Sequence, residues 1–273
     1  MSTSTSSPRI GAKELPPGRY GITGLLRSEW TKLRTVRSTV WTLAVTVVLG
    51  IGISALATAE TRAHWTRSNA VGFDPISTSL IGVFVGQFTI GVLGVLAMSA
   101  EYGTGTIRAT FSVAPRRPLV LAAKAVVFGT VALIVSEVVA FLSFLLGQAL
   151  LSAPAIHATL SSPGALRAVV GSGLYLCLLG LVALGLATII RHTAGAISAY
   201  VGILLVLPII VQALPYSISI DIRRFLPDRI GAAIITINNN AHSFAPWTGM
   251  LVLLGYAAAL LVIGGVLLVR RDA

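Results

Sequence analysis

Charge is scarce in this chain. Charged residues make up only 11% of it, against roughly 25% in an average soluble domain. That deficit excludes a surface covered by water. Cysteine is nearly absent: Cys177 stands alone, so an intrachain disulfide and cysteine-based metal sites are excluded. A phosphate-cradling G-x-x-x-x-G-K-[ST] loop is also missing, because none of Lys13, Lys32 and Lys124 follows a glycine. ATP therefore has no P-loop here. The four histidines (64, 157, 192 and 242) are scattered, with no H-E-x-x-H, no Ser-His arrangement and no paired carboxylates. Neither a metal site nor hydrolytic chemistry is legible, and no bound cofactor is expected.

What remains is apolar. Hydrophobic residues account for 55% of the 273, and they come in long blocks rather than at a 3.6-residue period. Blocks of about 20 such residues suit a helix crossing roughly 30 Å of hydrocarbon. Six are readable, at 39–57, 76–100, 125–151, 168–190, 194–213 and 250–269. Only Arg191, His192 and Thr193 part the fourth from the fifth, so a tight turn is expected there. The fold class is therefore all-α, a polytopic membrane protein with six transmembrane helices. A cleavage site at Ala57-Thr58-Ala59 is not expected, because the first block exceeds a signal-peptide core and a long polar stretch precedes it.

The net charge of +11 sorts by side. With the N-terminus inside, six cations (Arg62, Arg67, Arg167, Arg223, Arg224, Arg229) fall outside and the other fourteen inside. Both termini are thus expected in the cytoplasm, and the excess faces anionic headgroups rather than nucleic acid. Arginine outnumbers lysine 17 to 3, a composition of GC-rich bacterial genomes.

Residues 1–21 are poor in apolar content and are expected to form a disordered cytoplasmic tail; residues 22–273 form one membrane domain. Its first piece is amphipathic. Ile22, Leu25, Leu26, Trp30 and Leu33 share a helical face, with Arg27, Lys32 and Arg34 elsewhere, the pattern of a basic helix lying in the membrane interface. Small residues recur in the second span (Gly82, Gly86, Gly91, Gly94) and the fourth (Gly171, Gly173, Gly180, Gly185), where they permit close backbone approach. Pro208 is expected to kink the fifth span. The external segment from Pro215 to Trp247, too charged to span, is expected to form one or two short helices dipping into the outer leaflet.

The most informative stretch is the polar loop after the second span. It begins at Glu101 and ends at Lys124. Thr104 or Thr106 can cap a helix there. Ile107 and Phe111 then share one face, Arg108 another, and Pro115 ends the run. Glu101 closes the second span, where the helix dipole disfavours an anion. Arg108, Lys124 or the amides of the loop helix are its candidate partners. Glu137, near the middle of the third span, is costly in lipid and hence a site candidate. Its candidate roles are a substrate contact, a proton site or an interhelical hydrogen bond. Gln87 and Gln148 are milder cases.

The series Glu101, Gly105-Thr106-Ile107-Arg108, Pro115, Arg117 and Lys124, set in a six-span plan with a basic amphipathic helix (Leu26, Trp30, Leu33) before the first span, resembles the ABC-2 type transporter permeases. That resemblance implies that Glu101, Gly105, Thr106, Ile107, Arg108, Phe111, Pro115 and Arg117 belong to an ATPase-coupling loop, whose helix over Thr106–Ala114 docks on a separate ABC ATPase. It further implies a non-catalytic permease subunit of an exporter in the bacterial plasma membrane. Two ATPase copies would carry ATP and Mg, and a second permease copy or a sister chain would complete the path. A proton-coupled transporter using Glu137 and a non-transporting membrane scaffold are the alternatives.

Overall fold

The computed structural model describes residues 21–66, 72–103, 117–151, 156–237 and 242–271. The amphipathic piece is helix α1 (Ile22–Thr35), and a single extended residue, Val36, separates it from the first span, α2 (Arg37–Ala63). The second span differs from expectation. Asp74 caps a short helix, α3 (Pro75–Ser79), with Pro75 at its first position; a turn follows, and the span proper is α4 (Val83–Gly103). The expected start at Ile76 is therefore corrected to Val83. The Asp-Pro start signal and the turn at Leu80–Gly82 divide what reads as one apolar run.

The third span, α5 (Arg117–Leu150), begins eight residues before the expected Ala125. Pro118 is tolerated in a first turn, and at 34 residues the helix is about 51 Å long, well beyond the hydrocarbon. The fourth span is α6 (Ala165–Ile190). The tight turn expected after it is present: Arg191 is left-handed at φ 61° and His192 caps the next helix by accepting the Gly195 N–H. The fifth span comprises α7 (Thr193–Val201), a π-helical turn (Gly202–Val206) and α8 (Leu207–Ala213). Pro208 has no N–H to give, and the wide turn just before it, closed by the Leu207 N–H on the Gly202 carbonyl, is the local accommodation. Two short helices follow, α9 (Tyr216–Arg223) and α10 (Pro227–Ile235), before the sixth span, α11 (Pro246–Arg271). Thus, among the described residues, six helical stretches are long and apolar enough to cross a membrane, and the chain is an all-α multi-pass membrane protein.

Helix α6 occupies the centre and packs against α4, α5 and α11. Its small residues make this physically workable. A Cβ at Gly94 of α4 would sit 2.3 Å from the Gly180 carbonyl of α6. In the turn just before α4, a Cβ at Gly82 would sit 1.8 Å from the Gly50 carbonyl of α2. In lipid, where apolar contact gains little from leaving water, such backbone-to-backbone packing is a main source of cohesion. Phe128, Phe144, Ile90, Leu93, Leu176 and Leu184 fill the interior between these contacts. Cys177 is buried there and donates to the Gly129 carbonyl.

The bundle has a loop end, where residues 104–116 connect α4 to α5, and a far end. Polar ties order the far end. Gln148 donates to the Pro75 carbonyl and to Ser79 Oγ and accepts from the Ala158 N–H. Asp74 accepts the Ile237 N–H, and Arg167 donates to the Thr236 carbonyl. The last two bonds fasten the end of α10 to the bundle.

Candidate functional site

At the loop end, the helix ends place four charged side chains within hydrogen-bond reach. Helix α1 turns Leu25, Leu26, Glu29, Lys32 and Leu33 towards the bundle, while Trp30 and Ile22 stay exposed. Leu33 packs against the core. Glu29 lies on the apolar side of the helix and is 2% exposed. It meets Lys124, two turns into α5 and 5% exposed, and Glu101, in the last turn of α4 and 8% exposed.

The bonds form a closed ring. Lys32 Nζ donates to Glu29 Oε1 at 2.7 Å and to Glu101 Oε1 at 2.8 Å. Lys124 Nζ donates to Glu29 Oε2 at 2.5 Å and to Glu101 Oε1 at 2.8 Å. Each ammonium thus touches both carboxylates and each carboxylate both ammonium groups. Burial of a lone ion costs several kcal/mol, and alternation of sign is what makes three buried charges and the partly exposed Lys32 tolerable together. Burial alone would discharge Lys32, but its bonds to Glu101 and Glu29 outweigh that and hold its pKa above the ordinary 10.5. With the folded-state pKa raised, the stabilisation from Lys32 is fully present below that ordinary value and is lost only as the pH rises through the folded one.

Of the partners expected for Glu101, Lys124 is found; Arg108 lies outside the described residues. Lys32 and Glu29 are additions. Glu29 was missed because apolar residues alone defined the inner face of α1, yet its spacing from Leu25, Leu26 and Leu33 is the signal that could have revealed it. Gly105, Thr106, Ile107, Phe111 and Pro115 also lie outside the described residues, as does the tail before residue 21. Arg117 is described. It donates to the Leu268 carbonyl at 3.0 Å, and Arg191 donates to that of Leu267 at 3.3 Å while stacking over the Tyr102 ring. The end of α11 is thereby fastened to both flanks of the ring.

Mid-bundle, the Glu137 side chain lies against Gly173 of α6, where a Cβ would be 2.3 Å from its carboxyl carbon. Its Oε2 is buried without a hydrogen-bond partner. Gln87 accepts from the Tyr175 hydroxyl at its side chain and from the Tyr200 hydroxyl at its backbone carbonyl. Among the described residues, no group of three or more His, Cys, Asp or Glu side chains is arranged to hold a metal.

The ring ties three helices together through charge-assisted bonds. It joins a surface helix to both helices that enter and leave the 104–116 loop. The family model described as ABC-2 family transporter protein matches residues 25–209, a stretch that contains all four ring residues and the loop. No curated protein matches the chain.

Proposed function

The chain belongs to the ABC-2 family of transporter proteins, and from that premise we propose that it is the permease subunit of an exporter driven by a separate ATPase through the loop between α4 and α5. The family makes it a membrane component of an ABC transporter. Both termini face the cytoplasm of a bacterial cell, two ATPase copies bind from that side, and a second permease chain completes the path.

The observation that carries this reading is the charge ring. A loop that is to receive force needs stiff connections to the spans. Glu101 stands three residues before residue 104, and Arg117 directly follows residue 116; the first is bonded to α1 and α5, the second to α11. A push on the loop then moves α4, α5 and α1 together, and Val36 passes the motion to α2. In this reading Gly105, Thr106, Ile107, Arg108, Phe111 and Pro115 contact the ATPase, while Leu26 and Leu33 seat α1 and Trp30 anchors it at headgroup depth.

Copurification tests it. The ATPase subunit should accompany the wild-type permease and be lost from Arg108→Glu and Phe111→Asp, because a reversed charge and a buried carboxylate each cost several kcal/mol at an interface. Retention of the ATPase by both variants would end the assignment.

The partnerless oxygen of Glu137 favours a second reading, proton-coupled transport. The two part in a direct assay. For an ATP-driven exporter, Glu137→Gln should leave vanadate-sensitive transport within about twofold of wild type, since the amide keeps the shape and a hydrogen-bonding group. Abolished transport that ignores vanadate and follows a proton gradient would favour the alternative.

A further inference from the structure

The far end holds a cavity that the family match, which stops at residue 209, does not reach. It lies between α9, α10 and the segment leading into α11, and has a volume of about 410 Å³. That is within the size range of small-ligand sites. Three arginines line it: Arg223 and Arg224 from α9 and Arg229 from α10, with His242 and Tyr216 at its wall.

Their bonding capacity is largely unspent. Arg223 Nε is buried and has no hydrogen-bond partner, and no ion pair is formed by Arg223 among the described residues. Arg224 comes no nearer to Asp221 than 3.9 Å, and Asp221 is itself 76% exposed. Arg229 is 3.5 Å from Asp228. Guanidinium–carboxylate bonds at full strength are about 2.7–2.9 Å long, so neither acid neutralises its neighbour well. Packing rather than pairing holds Arg224: its guanidinium lies over the rings of Phe225 and Phe244, which meet edge to face. Three planar forks converge on one cavity, more donors than a carboxylate's two oxygens can use. The three equivalent oxygens of a phosphate monoester, or the bridging and free oxygens of a diester, match them better.

We propose that this cavity is a binding site for a phosphate group, held by Arg223, Arg224 and Arg229. Its position fits that chemistry. The far end is where a leaflet's phosphates meet the bundle, and three of the six cations placed outside by the charge count gather here, where the usual distribution of Lys and Arg would not put them. The phosphate comes either from a lipid headgroup of that leaflet or from a phosphorylated cargo leaving the path.

Thermal unfolding of the full-length protein in a neutral detergent tests the site and separates the sources. Wild type, Arg223→Gln, Arg223→Lys and Arg224→Gln would each be titrated with glycerol phosphate, inorganic phosphate and phosphatidylglycerol, against chloride at matched ionic strength and diacylglycerol of the same chains. The unfolding midpoint of wild type should rise with a phosphate-bearing ligand. The apparent Kd should weaken about tenfold in Arg223→Gln and Arg224→Gln, the loss of one charge-assisted bond, and less in Arg223→Lys. A response to phosphatidylglycerol alone assigns the site to lipid, and a response to the soluble phosphates as well assigns it to the phosphate group whatever carries it. Equal affinities in wild type and the variants, or chloride and diacylglycerol acting as well as the phosphates, would overturn the proposal. Because ATPase retention plays no part in these readouts, failure here leaves the coupling assignment untouched.

Discussion

Lys124→Met should lower the unfolding free energy by about 3–5 kcal/mol, the usual cost of removing one partner from a buried ion pair, and abolish ATP-driven transport. Lys124 is the least exposed cation of the ring and bonds both carboxylates. Without it, Glu29 and Glu101 are left to share Lys32, whose side chain is 39% exposed and whose contribution solvent therefore weakens. The matching deletion gives the decisive comparison. Glu29→Gln alone should also destabilise, but the double variant Lys124→Met, Glu29→Gln leaves Lys32 paired with Glu101 and no surplus charge. It should be more stable than the sum of the single effects by about 1–3 kcal/mol, the range of coupling between residues in one network. Strictly additive midpoints would mean that the four groups do not act as a ring. Ion pairs alone could be a matter of stability, so transport and ATPase turnover belong in the same experiment. Uncoupled ATP hydrolysis with no transport, in folded Lys124→Arg protein, is the signature of a transmission fault.

Gly82→Ala should prevent correct assembly of α2 on α4, with Gly86→Ala as a mild counterpart one turn away. The contrast follows from what each new methyl meets. At Gly82 it would lie 1.8 Å from the Gly50 carbonyl oxygen and 2.7 Å from Ser54 Oγ. Ser54 also accepts the Gly82 N–H at 3.0 Å, so separating the helices breaks that bond as well. Backbone cannot rotate aside, and forced overpacking of this kind costs about 1–3 kcal/mol or more. At Gly86 the nearest atom is Leu176 Cδ1 at 3.2 Å, the end of a flexible side chain. Yield of monodisperse protein on size exclusion, together with thermal midpoints, compares the two. A Gly82→Ala protein as abundant and stable as wild type would refute the close approach.

The six spans were legible because hydropathy and length carry that information directly; the failures arose where a second signal ran under the first. Asp74 and Pro75 mark a helix start, yet the apolar run from Ile76 to Ala100 has a spanning length, and the break at Leu80–Gly82 contains nothing polar to betray it. Lys124 looks like the boundary of the third span because charge ends a hydropathy window. The helix nevertheless runs back to Arg117, since an ammonium with two carboxylates at hand is no obstacle. Glu29 is the instructive case. Its importance depends on Glu101 and Lys124, 72 and 95 positions away, which no local pattern brings to it. The turn at Arg191 and the paired short helices after Pro215, by contrast, follow from bilayer thickness and from charges that cannot enter it.

The ring also bears on voltage. Two ammonium groups and two carboxylates cancel, so the point at which α1 joins the bundle has no net charge. Moving one elementary charge through 100 mV of membrane potential takes about 2.3 kcal/mol, but displacing the closed ring as a body takes none. In the proposed coupling the ring itself therefore adds no voltage dependence to a movement of α1, and a variant that unbalances it would add one.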